Sequence, residues 1–375
     1  MADVEKKMMR ERKRSLDVLR AAAVFLVFLN HMLVCPRPIN RILFSLTYHG
    51  ELGGWVGVDL FFVLSGFLIS GLLFKEHQNT GSISFRRFFI RRGFKIYPAF
   101  YVFIAATLIF GLRPDPPVLS RAWHELVFLQ NYLEPLWRHT WSLAVEEHFY
   151  LALPLLLIFL SRNKNRPSPF KSLPYLFLFL AVFSLTARVL KRLPMPPGDF
   201  GTHKYLAPTH LRLDALFFGV LISYIYHYHK IFFIGMQKRF GLIFLVLGPL
   251  LFLPAFYLSR ETSFFVLTFG ATFYYFGAGM LLVALVDREE LFKGKFWALI
   301  AFIGSHSYSI YLWHVFIISS CEPARKFYDS WYAYYFLCLA GSITMGVMMA
   351  RLVEYPALWL REKWFPDRAV SPADK

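Results

Sequence analysis

The chain has 375 residues, of which 57% are hydrophobic and 19% aromatic, with 42 Phe. That is too apolar for a water-soluble protein of this length. The formal net charge of +17 would suit nucleic acid in a soluble domain, but no nucleic-acid motif accompanies it, and basic loops beside an anionic bilayer account for it.

Hydropathy marks about ten segments of spanning length. In chain order they are Leu16–Val34, Trp55–Phe74, Ile96–Leu112, Glu146–Leu160, Leu173–Val189, Leu211–Tyr228, Phe240–Tyr257, Phe264–Val286, Phe296–Ser320 and Trp331–Val353. The fourth is short and interrupted by Pro154. The segments predict an all-α fold: a polytopic transmembrane helical bundle over 16–356, between a basic cytoplasmic tail at 1–15 and a second cytoplasmic tail at 357–375. Lys and Arg are in excess in the segments on the side that holds both ends of the chain, which places that side in the cytosol. The first span is too long and too charged for a cleaved leader. Segments 113–145 and 191–210 then lie outside. The first of these, rich in Trp and His, is expected to pack over the bundle, and both are expected to shape the choice of acceptor. No repeat of fixed period is visible.

Polar residues sort into two layers on this threading. His31, Asp59, Glu146, Glu147, Arg212, Asp214 and His314 fall toward the outside. Asp17, Arg20, Lys75, the 86–95 cluster, Arg351 and Glu354 fall toward the inside. Charge at membrane depth is costly and marks function by default. Arg20 and His31 are eleven residues apart, on nearly one helix face and about 16 Å apart along the axis. His31 is the candidate general base, because imidazole titrates near neutrality and can take a proton from a hydroxyl. Asp59 or Glu146, at similar depth, would orient it. Arg86, Arg87, Arg91, Arg92 and Lys95 form a cluster suited to phosphate oxygens, as on a coenzyme A thioester. Ser65 has no base beside it at its depth, so the small residues around Gly66 are read as allowing helices to approach.

Twelve His residues include no HExxH or Cys/His spacing, so no metal is expected. His203, His210, His227 and His229 read as surface residues. Three Cys make no disulfide framework. Cys35 and Cys321 both fall outside, with a bridge between them the less favoured alternative, and Cys338 reads as packing.

Several fragments, in order, carry a resemblance: SLDVLR with Arg20 and His31; GVDLFFVLSGFLIS from Gly57; RRGFKIYP from Arg91; WSLAVEEHFY from Trp141; HLRLDALFFGVL from His210; and SYSIYLWHVF from Ser307. The chain resembles the integral-membrane acyltransferase 3 family, whose members O-acylate surface glycans and related acceptors. The resemblance implies that His31 is the essential histidine and Arg20 its paired arginine. It implies that Arg91, Arg92 and Lys95 lie near the donor and that Glu146 is the more constrained acid. The implied donor is an acyl-CoA, often acetyl. Lys95 stands where arginine is common, and His148 where glutamine is usual. Some members carry a further soluble C-terminal domain. The chain stops short of one, so any second transfer step is expected from a separate protein. The expected function is a membrane O-acyltransferase of the bacterial inner membrane. It would use cytosolic acyl-CoA and a glycan, lipid-linked glycan or macrolide-like acceptor, by direct transfer with His31 as base. A transporter or flippase of an anionic lipid-linked sugar is the rival reading, and a scaffold that has lost catalysis is a third.

Overall fold

The computed structural model describes residues 12–111, 119–162, 169–194, 205–328 and 330–366. Among these residues all regular structure is helical. The helices are α1 Arg14–His31, α2 Arg41–Gly53, α3 Gly57–Thr80, α4 Phe85–Phe110, α5 Leu119–Leu126, α6 Trp141–Ser161 and α7 Leu173–Arg192. They continue as α8 Leu213–Tyr228, α9 Lys230–Tyr257, α10 Ala271–Leu285, α11 Lys295–Ser305, α12 Ser307–Tyr328, α13 Trp331–Met349 and α14 Tyr355–Trp364.

Seven helical stretches among the described residues are long and apolar enough to cross a membrane, against the ten segments marked from hydropathy. The difference has three local causes. The segment Leu16–Val34 folds as α1, whose first turns hold charge. The segment at 211–228 is trimmed to α8, with only 16 residues. Phe296–Ser320 is not one helix, because it breaks at His306 into α11 and α12. Pro154, by contrast, interrupts nothing: α6 runs through it for 21 residues. The basic cluster is helical too, since α4 starts at Phe85, where the Ser84 side chain accepts from Arg87 N at 3.3 Å.

α1 lies at the centre, packed against α2, α3, α11 and α12. Leu16, Leu19, Val24, Val27 and Phe28 are all buried. The contact with α11 is so close that a Cβ on Gly304 would sit 1.7 Å from Asp17 O. α3 and α8 cross in the same way. A Cβ on Gly66 would meet Leu216 O at 2.0 Å, and one on Gly219 would meet Val63 O at 2.2 Å. The small residues near Gly66 thus serve the close approach expected of them. That crossing carries Arg212, at the start of α8, over Asp59 on α3. α9 with α10, and α12 with α13, form the other extensive helix pairs. The described part of segment 113–145 does pack over the bundle: Trp137 Nε1 donates to Thr107 Oγ1 at 2.9 Å, and His139 Nε2 lies 3.1 Å from Leu312 O. Residues 112–118 and 195–204 lie outside the described residues, so His203 does too. All three cysteines are free, and Cys321 lies against Cys338 rather than Cys35.

Candidate active site

α1, α3, α4, α6 and α12 surround a cavity of about 170 Å³. Arg12, Arg20, Arg92 and Lys95 line it toward the start of α1. α6 contributes Ser142, Glu146 and Tyr150, spaced four residues apart and therefore stacked on one helix face. Tyr311 of α12 and Phe61 of α3 close the end nearest Ser142. Arg92 and Lys95 share a face of α4 at a spacing of three, which brings both to the cavity. Arg91 is turned about 100° away and does not line it.

The cations are held by acids. Arg20 is ion-paired with Asp17 one turn earlier, and Arg12 Nε lies 3.5 Å from the same carboxylate. Lys95 is ion-paired with Glu354, which also accepts from Ser309. Glu354 ends a π-helical turn, Ala350–Glu354, that aims it at α4. Arg92 lies 5.5 Å from the centre of the Tyr150 ring.

Glu146 lies against Ser65 and Tyr150, whose hydroxyls are 2.7 Å apart. The expectation that Ser65 has no base nearby is therefore corrected: α6 crosses α3 at that depth and sets a carboxylate beside it. Glu147 also lines the cavity and accepts from Tyr97 at 3.0 Å. His148 points away from the cavity, to Thr209 Oγ1 at 2.7 Å.

Asp59 does not orient His31. It is fully buried and accepts from Arg212 Nη2 at 2.6 Å. Arg188 and Asp214 form a second buried pair at 2.8 Å nearby. Four charges thus neutralise one another between α3, α7 and α8, as buried ions must. Glu146 does not reach His31 either. The His31 ring faces α12 instead, with its Nδ1 3.3 Å from His314 Nε2. His31 does not line the cavity. Tyr311 stands between them, with its ring 5.5 Å from that of His314. Its hydroxyl donates to His139 O at 2.7 Å and lies 2.7 Å from Ser142 Oγ. Two packed rings, Tyr311 and His314, lie between the cavity and the His31 imidazole. Among the described residues no group of His, Cys, Asp and Glu is arranged to hold a metal.

A family model described as an acyltransferase domain matches residues 13–351. The chain belongs to the acyltransferase 3 family. It is 26% identical over 368 residues to a peptidoglycan O-acetyltransferase, OatA, of Listeria monocytogenes, covering 91% of this chain and 55% of that protein. It is 27% identical over 394 residues to the O-acetyltransferase OatA of Staphylococcus aureus, covering 96% and 59%. A putative O-acetyltransferase of S. aureus strain COL is also 27% identical, covering 91% and 56%. The chain therefore spans a little over half the length of these curated relatives. No solved structure matches it.

In this family member the cavity collects five of the expected site residues or their neighbours: Arg20, Arg92, Lys95 and Glu146, with Ser65 beside them. It leaves out Arg91, Asp59 and His31. Several contributors were not read as site residues from sequence, among them Tyr150, Ser142 and Tyr311. Tyr150 and Ser142 fall one turn either side of Glu146, so the stripe was available from the helical spacing. Tyr311 is three residues before His314 in the SYSIYLWHVF fragment, and nothing in its local pattern distinguishes it from packing.

Proposed function

We propose that the chain is a membrane O-acyltransferase of a bacterial cytoplasmic membrane. On this reading it moves an acyl group, acetyl by likeness to its relatives, from cytosolic acyl-CoA to a hydroxyl of a cell-envelope glycan. The observation that carries the proposal is a cavity with cations at one end, and Tyr311, His314 and His31 in succession beyond the other. The cavity volume of about 170 Å³ suits the thioester end of the donor, being below the roughly 300 Å³ of pockets that take whole ligands. The nucleotide end would rest on the adjoining cavity of about 530 Å³, which shares Arg12 and adds Arg14 and Lys293, with Asp17 and Glu289 beside them. Both ends of the chain would then face the cytosol.

Transfer is direct. The acceptor oxygen attacks the thioester carbonyl carbon while its proton passes to His31. The carbon–sulfur bond breaks, and the proton held on His31 is given up to the leaving thiolate, which departs as the coenzyme A thiol. The Tyr311 ring must swing aside for the acyl group to come within reach of an acceptor held at His31. Support for a glycan acceptor comes from the names of the relatives alone.

The test uses purified protein in detergent with acetyl-CoA and soluble peptidoglycan fragments. Acceptor-dependent release of free thiol is expected, and it should vanish in His31→Ala while that protein remains folded. Turnover retained in that variant rules His31 out as the base. Translocation of a lipid-linked sugar without thiol release would favour the flippase.

A further inference from the structure

Two carbonyl oxygens define the protonation of the histidine pair. His31 Nδ1 lies 2.9 Å from Val27 O. A carbonyl only accepts, so Nδ1 carries the hydrogen and Nε2 keeps its lone pair. His314 Nδ1 lies 2.6 Å from Tyr311 O. The same rule puts its hydrogen there and leaves its Nε2 as an acceptor. That Nε2 is 3.3 Å from His31 Nδ1, so the His31 hydrogen is shared between Val27 O and His314. The rings meet edge-on, with centroids 4.9 Å apart and planes at 76°. His314 is itself fixed: it is buried, with Phe28 edge-on at 5.4 Å and His139 edge-on at 5.3 Å.

We infer that His314 is a positioning residue for the base, steadying the His31 ring and accepting from its Nδ1–H beside Val27 O, so that the Nε2 lone pair is left to take the acceptor's proton. When Nε2 takes the proton, the Nδ1–H bond to His314 strengthens as charge appears on the ring. His314 thus fills the place that Asp59 and Glu146 do not, with a neutral acceptor in place of a carboxylate. A neutral partner suits a buried site, because it leaves no unpaired charge in the resting state. The inference rests on the reading of His31 as the base.

Four variants of the full chain in detergent separate the two ideas. They are His31→Ala, His314→Phe, His314→Leu and His314→Gln, assayed by thiol release from acetyl-CoA with soluble peptidoglycan fragments. Phe keeps a ring in the Phe28–His139 stack but removes the acceptor, and Leu is the second such variant should Phe not fold. Gln restores an oxygen near the position of Nε2. The expected result is a fall in kcat of about 100-fold for Phe or Leu, with KM for acetyl-CoA within about twofold, and recovery of at least about tenfold of that loss in Gln. A dead His31→Ala beside an unchanged kcat in folded His314→Phe or His314→Leu overturns the inference and leaves the base intact. A loss that His314→Gln does not relieve, or that moves kcat and KM together, overturns it as well. An active His31→Ala removes the reading beneath it instead.

Discussion

Lys95 reaches the cavity already paired. Glu354 is 2% exposed along its side chain, so its charge depends on Lys95 for compensation. Arg92 is not held in such a pair: it lies over the Tyr150 ring and feels the Glu146 and Glu147 carboxylates across the cavity. These differences separate neighbouring cations that look alike in the sequence. Arg92→Gln should raise KM for acetyl-CoA about tenfold with little change in kcat, while Arg91→Gln should move KM by less than about threefold. Steady-state thiol release at varied donor concentration decides this; equal effects at the two positions would remove the cavity from donor binding. Asp59 and Arg212 are 0% and 1% exposed. Arg212→Met should cost about 3–5 kcal/mol by stranding the carboxylate, and Asp59→Asn added to it should recover part of the loss. Thermal unfolding in detergent reads both. The residue identities were legible in the sequence, and their partners were not. Equal depth on two helices says nothing about the direction in which each side chain points, which is why Asp59 was matched to His31 when Arg212 is what it meets.

Helices assemble here by backbone approach at a few glycines. At Gly219 a single added carbon collides with the Val63 carbonyl, whereas at Gly235 on α9 it meets nothing within 4 Å. Gly219→Leu should therefore destabilise by at least about 3 kcal/mol or abolish a monodisperse peak in detergent. Gly235→Leu, equally apolar, should elute and melt like the parent. A well-folded Gly219→Leu protein would show that the α3–α8 crossing is looser than described. α1 and α7 were readable from apolar length to within a turn at each end, whereas α4 and α9 begin 11 and 10 residues before their hydropathy segments. What apolar length did not settle is whether α1 spans by itself and where α11 breaks from α12, for a common reason. Hydropathy scores a helix as if its surroundings were lipid, and these elements are surrounded by protein. There charge can be paired and a kink can be covered, so the usual length rule loses its grip. The two π-helical turns among the described residues, Val266–Gly270 and Ala350–Glu354, have no sequence signature. Each nonetheless serves a buried charge: Thr268 O accepts from Arg188 Nε at 3.1 Å, and Glu354 meets Lys95.

At the scale of the whole molecule, the two expected polar layers are not kept apart, since Glu146 of the outer set shares the cavity with Arg20, Arg92 and Lys95 of the inner set; a wall of rings parts that cavity from His31. Phe61 lies 6.0 Å from Tyr311, which lies 5.5 Å from His314. Tyr311 is pinned through its hydroxyl to His139 O and Ser142. Tyr311→Ala should raise acceptor-independent hydrolysis of acetyl-CoA severalfold, by letting water reach the thioester. Unchanged background hydrolysis would mean that the ring does not guard the cavity. The wall also has an electrical meaning. A bacterial cytoplasmic membrane stores a potential worth about 2.3 kcal/mol per elementary charge per 100 mV, and a water-filled passage from face to face would discharge it. On the proposed function, the seated Tyr311 ring, packed between Phe61 and His314, would keep such a passage shut to protons and small ions while an acyl group is handed from one face to the other.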